Sequence, residues 1–313
     1  MTHHHPHAHG EGCGHAHGHG LAAASFDRAM GLGVGLNVAF VIVEVVAGLW
    51  AGSLALVADA GHNAGDVVGL LLAWGAGWLA RRPPTARYTW GYRRATIYAA
   101  LANAVLLLVA CGAILWEAVH RFREPEPVAG WTVIAVAAAG AVVNTLAALL
   151  FARGHGDVNV RAAYLHMAAD AAVSLGVVIA GLAIAATGWA WIDPAASIAI
   201  AAVIVVGTWG LFRESVDLAL DAVPRGVDPS AITAALAELR DVCEVHDLHV
   251  WGASTSEISL TTHLVADAAA DRDALLDAAH DLVRARFGIA HATIQIEGIA
   301  AACDCPQRPA EAL

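Results

Sequence analysis

The sequence predicts an α-helical membrane protein: six transmembrane helices followed by a C-terminal cytosolic α+β domain of αββαβ order, ferredoxin- or metallochaperone-like. Three observations carry this reading. The chain is 58% hydrophobic and 14% charged, with a mean hydropathy of +0.60, far from the composition of a soluble domain. Six apolar segments are each long enough to span a bilayer. After Arg213 the pattern changes to short alternating and amphipathic stretches. Four divisions follow: a His-rich tail over 1–24, a transmembrane domain over 25–212, a soluble domain over 213–300 and a tail over 301–313.

The spans run over about 28–50, 54–80, 95–119, 131–152, 161–187 and 194–212. Only a Gly52-Ser53 turn separates the first two, which suits a tight helical hairpin. Loop charge gives the orientation. The second link holds Arg81, Arg82, Arg87, Arg93 and Arg94, and the fourth holds Arg153 and Arg161. The first and fifth links hold no Arg; the third, with Arg121 and Arg123, is an exception. The positive-inside rule then puts both termini in the cytoplasm.

The first twenty residues are His- and Gly-rich. His3, His4, His5, His7, His9, His15, His17 and His19 form a disordered arm by composition, suited to collecting metal. Pro, Ala and Gly interrupt it, unlike an engineered tag, and no signal peptide is visible. Beyond Arg213, residues 229–240 read as a helix opened by Asp228-Pro229. Residues 244–252 and 257–266 alternate as strands, 271–287 read as a second helix and 291–297 as a third strand. From Arg213 onward, 7 Arg against 17 acidic residues give −10 of the net −11. An acidic soluble part argues against nucleic acid as a partner and suits cation capture. The five Cys are scattered and form no disulfide framework; Cys303 and Cys305 form a lone C-x-C able to touch a soft metal.

Two copies of one polar motif interrupt the apolar spans. His62 and Asp66 belong to H-N-A-G-D, and His166 and Asp170 to H-M-A-A-D. Residues four apart share a helix face, with Cβ atoms about 5–6 Å apart. A carboxylate at the centre of a bilayer helix costs roughly 2.5–3.5 kcal/mol even on the lenient insertion scale. Carrying that cost twice points to one polar site shared by two helices. Two His and two Asp supply the N and O ligands of tetrahedral Zn2+. Four protein ligands leave no open position for an activated water, and no H-E-x-x-H occurs, so a hydrolase is disfavoured. Metal bridging separate helices suits alternating access. Metal binding also releases protons from His and Asp, which couples metal to a proton gradient. A structural intramembrane zinc in a membrane metal sensor fits the same ligands, but that reading expects an output domain.

Other polar residues join the candidate route. Asp59 lies three before His62 on the same face. Asn37 and Glu44 lie seven apart on the first span, and Asn144 lies in the fourth. They line a pathway, orient the ligands, or form helix–helix hydrogen bonds.

Several runs resemble the cation diffusion facilitator family. G-S-L-A-L-V-A-D-A-G-H-N-A-G-D (52–66) is similar to its second-helix signature and N-V-R-A-A-Y-L-H-M-A-A-D (159–170) to its fifth. Y-T-W-G-Y-R-R-A (88–95), Asp193-Pro194 and V-H-D-L-H-V-W (245–251) agree in order. The resemblance spans about residues 25–298 and is nearest the bacterial zinc/cobalt/cadmium-resistance branch. It implies a homodimeric, proton-coupled exporter of divalent metal, not an enzyme, in a bacterial inner membrane. In this family a His at the position of His62 goes with zinc preference over cadmium; export of Cd2+, Co2+ or Ni2+ is the alternative. Many relatives carry a His-rich fourth link. Here that link has only His155, and the His cluster is N-terminal.

His246, His249, His263, His280 and His291, with Glu297, are candidates for a second Zn2+ site in the soluble domain. Strand alternation puts Ala292, Ile294 and Ile296 on the apolar face and His291 and Glu297 on the other. It turns His263 outward, away from Ile258, Leu260 and Leu264. In the first strand it turns His249 outward and His246 inward with Leu248 and Val250. The family resemblance favours His246 as ligand, so the two arguments disagree there.

Overall fold

The computed structural model describes residues 35, 37–124, 126–151 and 158–298. The His-rich arm, the fourth-link residues Arg153 and His155, and Cys303 and Cys305 lie outside the described residues. Six helices form a bundle: α1 (Asn37–Ala51), α2 (Leu54–Ala80), α3 (Ala95–Arg123), α4 (Gly130–Phe151), α5 (Val158–Thr187) and α6 (Ile192–Ala219). A smaller domain follows, with α7 (Pro229–Ala237), β1 (Val242–Gly252), β2 (Ile258–Ala266), α8 (Arg272–Phe287) and β3 (His291–Gly298).

By length and composition, α3, the Met167–Thr187 part of α5 and α6 are apolar enough to cross a membrane. At 27 residues α2 is long enough, about 40 Å, but Asp59, His62, Asn63 and Asp66 lower its hydropathy. Large apolar side chains that would be buried in a soluble protein point outward, among them Trp50, Trp74, Val206 and Leu146. Trp116, Trp131, Trp189 and Trp191 are likewise exposed on or beside the bundle helices, the kind of side chain that is enriched at membrane–water interfaces.

Packing pairs α4 with α5 and α3 with α6, while α2 lies against α3, α5 and α6. Gly65 and Gly69 let α3 approach α2: a Cβ on Gly65 would meet Leu107 Cδ2 at 2.1 Å, and one on Gly69 would meet the Asn103 side chain at 2.7 Å. Small residues of this kind are how membrane helices gain van der Waals contact without a hydrophobic driving force.

The α1–α2 turn is closed by a polar clamp at the bundle end remote from the small domain. Gly52 takes φ +65°, and a Cβ there would meet Pro127 O at 2.9 Å. Ser53 caps α2, its Oγ accepting from Leu56 N at 3.2 Å. Buried Asp193 of α6 accepts from Ser53 Oγ at 2.5 Å, Leu54 N at 2.6 Å and Ala55 N at 3.3 Å. Three donors that α2 cannot satisfy internally are thereby met. Arg121 adds a bond to Gly52 O at 2.5 Å and lies 3.9 Å from Asp193 Oδ2. It also reaches Glu117 at 3.0 Å and Glu126 at 3.3 Å. Arg121, one of the two Arg of the third link, is thus held inside this clamp, bonded to acceptors of the remote end.

Helix α6 continues past the apolar run to Ala219, carrying Arg213, Glu214 and Asp217 toward the small domain. There β1 and β2 pair antiparallel and α8 crosses over to bring β3 parallel to β2, giving sheet order β1-β2-β3. Ile232, Leu236, Val250, Leu260, Leu264, Ala279 and Val283 form its apolar core. The helix read over 229–240 ends at Ala237, where the chain turns toward Asp241 at φ +69°. The α2–α3 link meets this domain: Arg93 pairs with Glu257 at 2.7 Å, Arg94 with Asp221, and Trp90 packs edge-on against His291 at 4.6 Å.

Asp193→Ala removes the acceptor from three buried donors. A loss of about 1–3 kcal/mol is expected, read as a lowered thermal midpoint of the detergent-solubilised protein. Asp193→Asn, which keeps one acceptor, should lie between.

Candidate metal centres

Two groups of ligand-bearing side chains emerge among the described residues, one in each domain. In the bundle, His62 and Asp66 sit one turn apart on α2 and face Asp170 of α5. One ligand atom from each lies within 4.8 Å of the others. His62 Nε2 is 3.1 Å from Asp170 Oδ1, and Asp170 is buried. Two ligands of a tetrahedral Zn2+ at about 2.0–2.1 Å lie about 3.3 Å apart, so the His62–Asp170 spacing accommodates an ion with little movement. His166 stands one turn before Asp170 on the described backbone of α5; its side chain lies outside the described residues.

Asp59 and Glu44 are fully buried but do not belong to this group. Ser174 Oγ donates to Asp59 Oδ2 at 3.0 Å, and Asn63 Nδ2 donates to Glu44 Oε2 at 3.0 Å. Asn63 and Ser174 were missed in the sequence, although Ser174 follows Asp170 by one helical turn and Asn63 adjoins His62. Asn37 and Glu44 lie close to two turns apart on α1 as read, but Asn37, at the start of the described helix, is exposed while Glu44 is fully buried. Asn144 is half-buried on α4, its Nδ2 without a hydrogen-bond partner among the described residues.

In the small domain His246, His263 and Glu297 come together, with ligand atoms again within 4.8 Å. His246 pairs directly across from His263 in the β1–β2 ladder. Glu297 lies diagonally across from His263, whose direct β3 partner is Gln295. His263 Nδ1 is 2.9 Å and His246 Nε2 3.4 Å from the Glu297 carboxylate. Neither contact is aligned as a hydrogen bond, and both His246 nitrogens lack a hydrogen-bond partner among the described residues. Buried imidazole nitrogens converging on a carboxylate without forming hydrogen bonds fit a metal ion better than a closed polar network.

His246 does not turn inward as strand alternation predicts; it faces His263. A β-bulge interrupts the β1–β2 register between His246 and His249, with Asp247 at φ +53°. The extra residue lets Val245, Leu248 and Val250 all pack on the apolar core while His246 joins His263 on the opposite face. His249 points to solvent and contacts Asp247 at 2.9 Å. His291 shares a strand face with Glu297 as read, but six residues of strand separate them by about 20 Å, and its ring packs on Trp90. His280 on α8 contacts Ala292 O at 3.3 Å and lies apart from the cluster.

Comparison with known proteins agrees with both halves. Residues 31–218 match the cation efflux transmembrane domain, and residues 224–299 match the cytoplasmic domain of cation efflux proteins. The zinc transporter ZitB of Escherichia coli K12 is 40% identical over 265 residues, 84% of each chain. The metal cation efflux system protein CzcD of Cupriavidus metallidurans is 35% identical over 84% of each. The cadmium, cobalt and zinc/H(+)-K(+) antiporter of Bacillus subtilis is 32% identical over 82% of this chain and 85% of that one. Among solved structures, the metal-bound C-terminal domain of the CzcD transporter is 32% identical, covering 23% of this chain and 99% of that domain, with a TM-score of 0.22. A bundle with a polar ligand group between two helices, joined to a cytoplasmic α+β domain and matched along both, makes this chain a member of the cation efflux, or cation diffusion facilitator, family of membrane transporters.

Proposed function

We propose that this protein exports divalent metal, Zn2+ foremost, from the cytoplasm across a bacterial inner membrane in exchange for protons, with both termini cytoplasmic. The observation that carries this is the convergence of N and O ligands from two different helices, α2 and α5, inside an apolar bundle. His62, Asp66, His166 and Asp170 are assigned as the transported metal's seat. Because each helix brings its own pair, a shift of α5 against α2 takes the seat apart and releases the ion. The imidazole and carboxylates bind either metal or protons, so protons arriving from the far side displace the ion, and metal arriving from the cytoplasm expels the protons. Cd2+, Co2+ and Ni2+ accept the same donor set, and the relatives' names support a range of metals.

The cytoplasmic His246, His263 and Glu297 are assigned to a second, resident metal site. When bound there, Zn2+ supplies a cross-link among the three strands. That stiffening favours a homodimer joined through the sheet face carrying these residues.

The transport reading is tested by metal flux into proteoliposomes under an imposed pH gradient. Gradient-driven zinc flux is expected in the natural chain and should vanish in Asp170→Ala. No flux for zinc, cadmium or cobalt, with zinc still bound, would refute it.

The second site is tested by calorimetry on Asp170→Ala protein. Adding His263→Ala is expected to weaken the remaining zinc binding more than about 10-fold, since even outer partners of metal ligands are worth that much. Adding His249→Ala should leave it unchanged. Equal effects would mean that the bulge does not decide the ligand set.

A further inference from the structure

Beside the metal seat lies a pair of carboxyl groups that the exchange scheme above does not use. Glu44 of α1 is 0% exposed and Asp59 of α2 is 1% exposed. Each has one oxygen served by a neutral donor, Asn63 for Glu44 and Ser174 for Asp59, both at 3.0 Å. The other two oxygens, Glu44 Oε1 and Asp59 Oδ1, are buried and have no hydrogen-bond donor among the described residues. Asn63, whose amide donates to Glu44, lies one turn after Asp59 on the same face of α2, which sets the two carboxyl groups beside each other. If both were ionised, acceptor would face acceptor with no hydrogen between, and two like charges would share one dry site. Among the described residues no Arg reaches either group.

One proton resolves both orphaned atoms, turning one oxygen into a donor to the other. A cation in its place fits poorly. The two outer oxygens already receive N–H and O–H hydrogens, and no third His, Cys or carboxylate joins this pair in a ligand group among the described residues. The titratable groups around the pair are His62 on α2 and Asp170 on α5; α1 contributes Glu44 itself, and α4 meets α1 through Gly140 against Phe40.

We propose that Glu44 and Asp59 hold a single proton between them while α1, α2 and α5 are packed together, making the pair a proton site separate from the metal ligands. The inference rests on the exchange reading for its role in transport. Because both carboxyl groups are sealed from solvent, this proton enters and leaves only when α1 separates from α2. Proton traffic is thus tied to the packing change that opens the bundle. The pair is a positioning and coupling element and touches no metal.

Glu44→Gln is the discriminating variant. Its carbonyl oxygen accepts from Asn63 and its amide donates to Asp59, reproducing the protonated pair without a proton to exchange. Asp59→Asn is the mirror change, with Ser174 donating to the amide oxygen. The full-length protein in lipid is measured by infrared difference spectroscopy for the carbonyl stretch of a buried protonated carboxyl group, with hydrogen–deuterium exchange identifying the band. Protons moved per zinc are measured in parallel in proteoliposomes. The expected result is a band in the natural chain that is lost in both variants, with the proton count per zinc lower by one in any variant that still transports. Absence of the band in the natural chain overturns the shared proton, whatever the flux and whether or not the variants fold. A band lost in Glu44→Gln with an unchanged proton count overturns the coupling. If the natural chain carries the band but moves no zinc under a proton gradient, the exchange reading fails and the shared proton stands.

Discussion

Helix α2 places Asp59, His62, Asn63 and Asp66 within eight residues of a span that must lie among apolar neighbours. In a bilayer core no water satisfies such groups, and each one left unmet costs several kcal/mol. The surrounding helices are arranged by that demand. Asn63 meets Glu44 of α1, Asp59 meets Ser174 of α5, and His62 meets Asp170 of α5. Hydrogen bonds of this kind, worth about 0.6–2 kcal/mol each, join membrane helices alongside close packing, since lipid competes equally for apolar surface. The polar face of α2 therefore organises the bundle and carries His62 and Asp66 of the ligand group. A change of protonation or ligation there alters the forces between helices directly.

The remote end is held differently. Asp193 takes the free N–H groups at the start of α2, and Arg121 closes the cluster from α3. These bonds join α2, α3 and α6 at one point. The opposite end, where the cytoplasmic domain meets the α2–α3 link, is tied by more exposed contacts. Arg93–Glu257 and Arg94–Asp221 have side chains 42–49% exposed, and such pairs contribute about 0–1 kcal/mol each. The bundle is thus firmly pinned at one end and lightly coupled to a second domain at the other. That asymmetry suits motion of the cytoplasmic half with the remote half as its pivot.

The cytoplasmic domain shows how one backbone irregularity changes the chemistry of a surface. Three strands with regular alternation would bury His246 among Leu248 and Val250. The bulge at Asp247 costs an unpaired residue and a positive φ, which Asp tolerates better than most residues. In return it puts two imidazoles edge-on to each other across a ladder and within reach of Glu297.

Much of this was readable in order along the chain. Apolar length gave the six bundle helices, alternation and turn residues gave the αββαβ order, and the four-residue spacing put His62 with Asp66 on a common helix face. These are local periodicities, 3.6 residues for helix and 2 for strand, and they need no knowledge of neighbours. What lay beyond them depends on contacts distant in sequence. Asp170 faces His62 across 108 positions and Asp193 caps a helix 140 positions earlier. His291 and Glu297 share a strand face yet lie too far apart to share an ion, and Asn37 shares a nominal face with Glu44 yet stays exposed. Periodicity assigns a residue to a face. Only packing decides which faces meet, where a ladder slips by one residue, and which buried oxygens are left to find a proton.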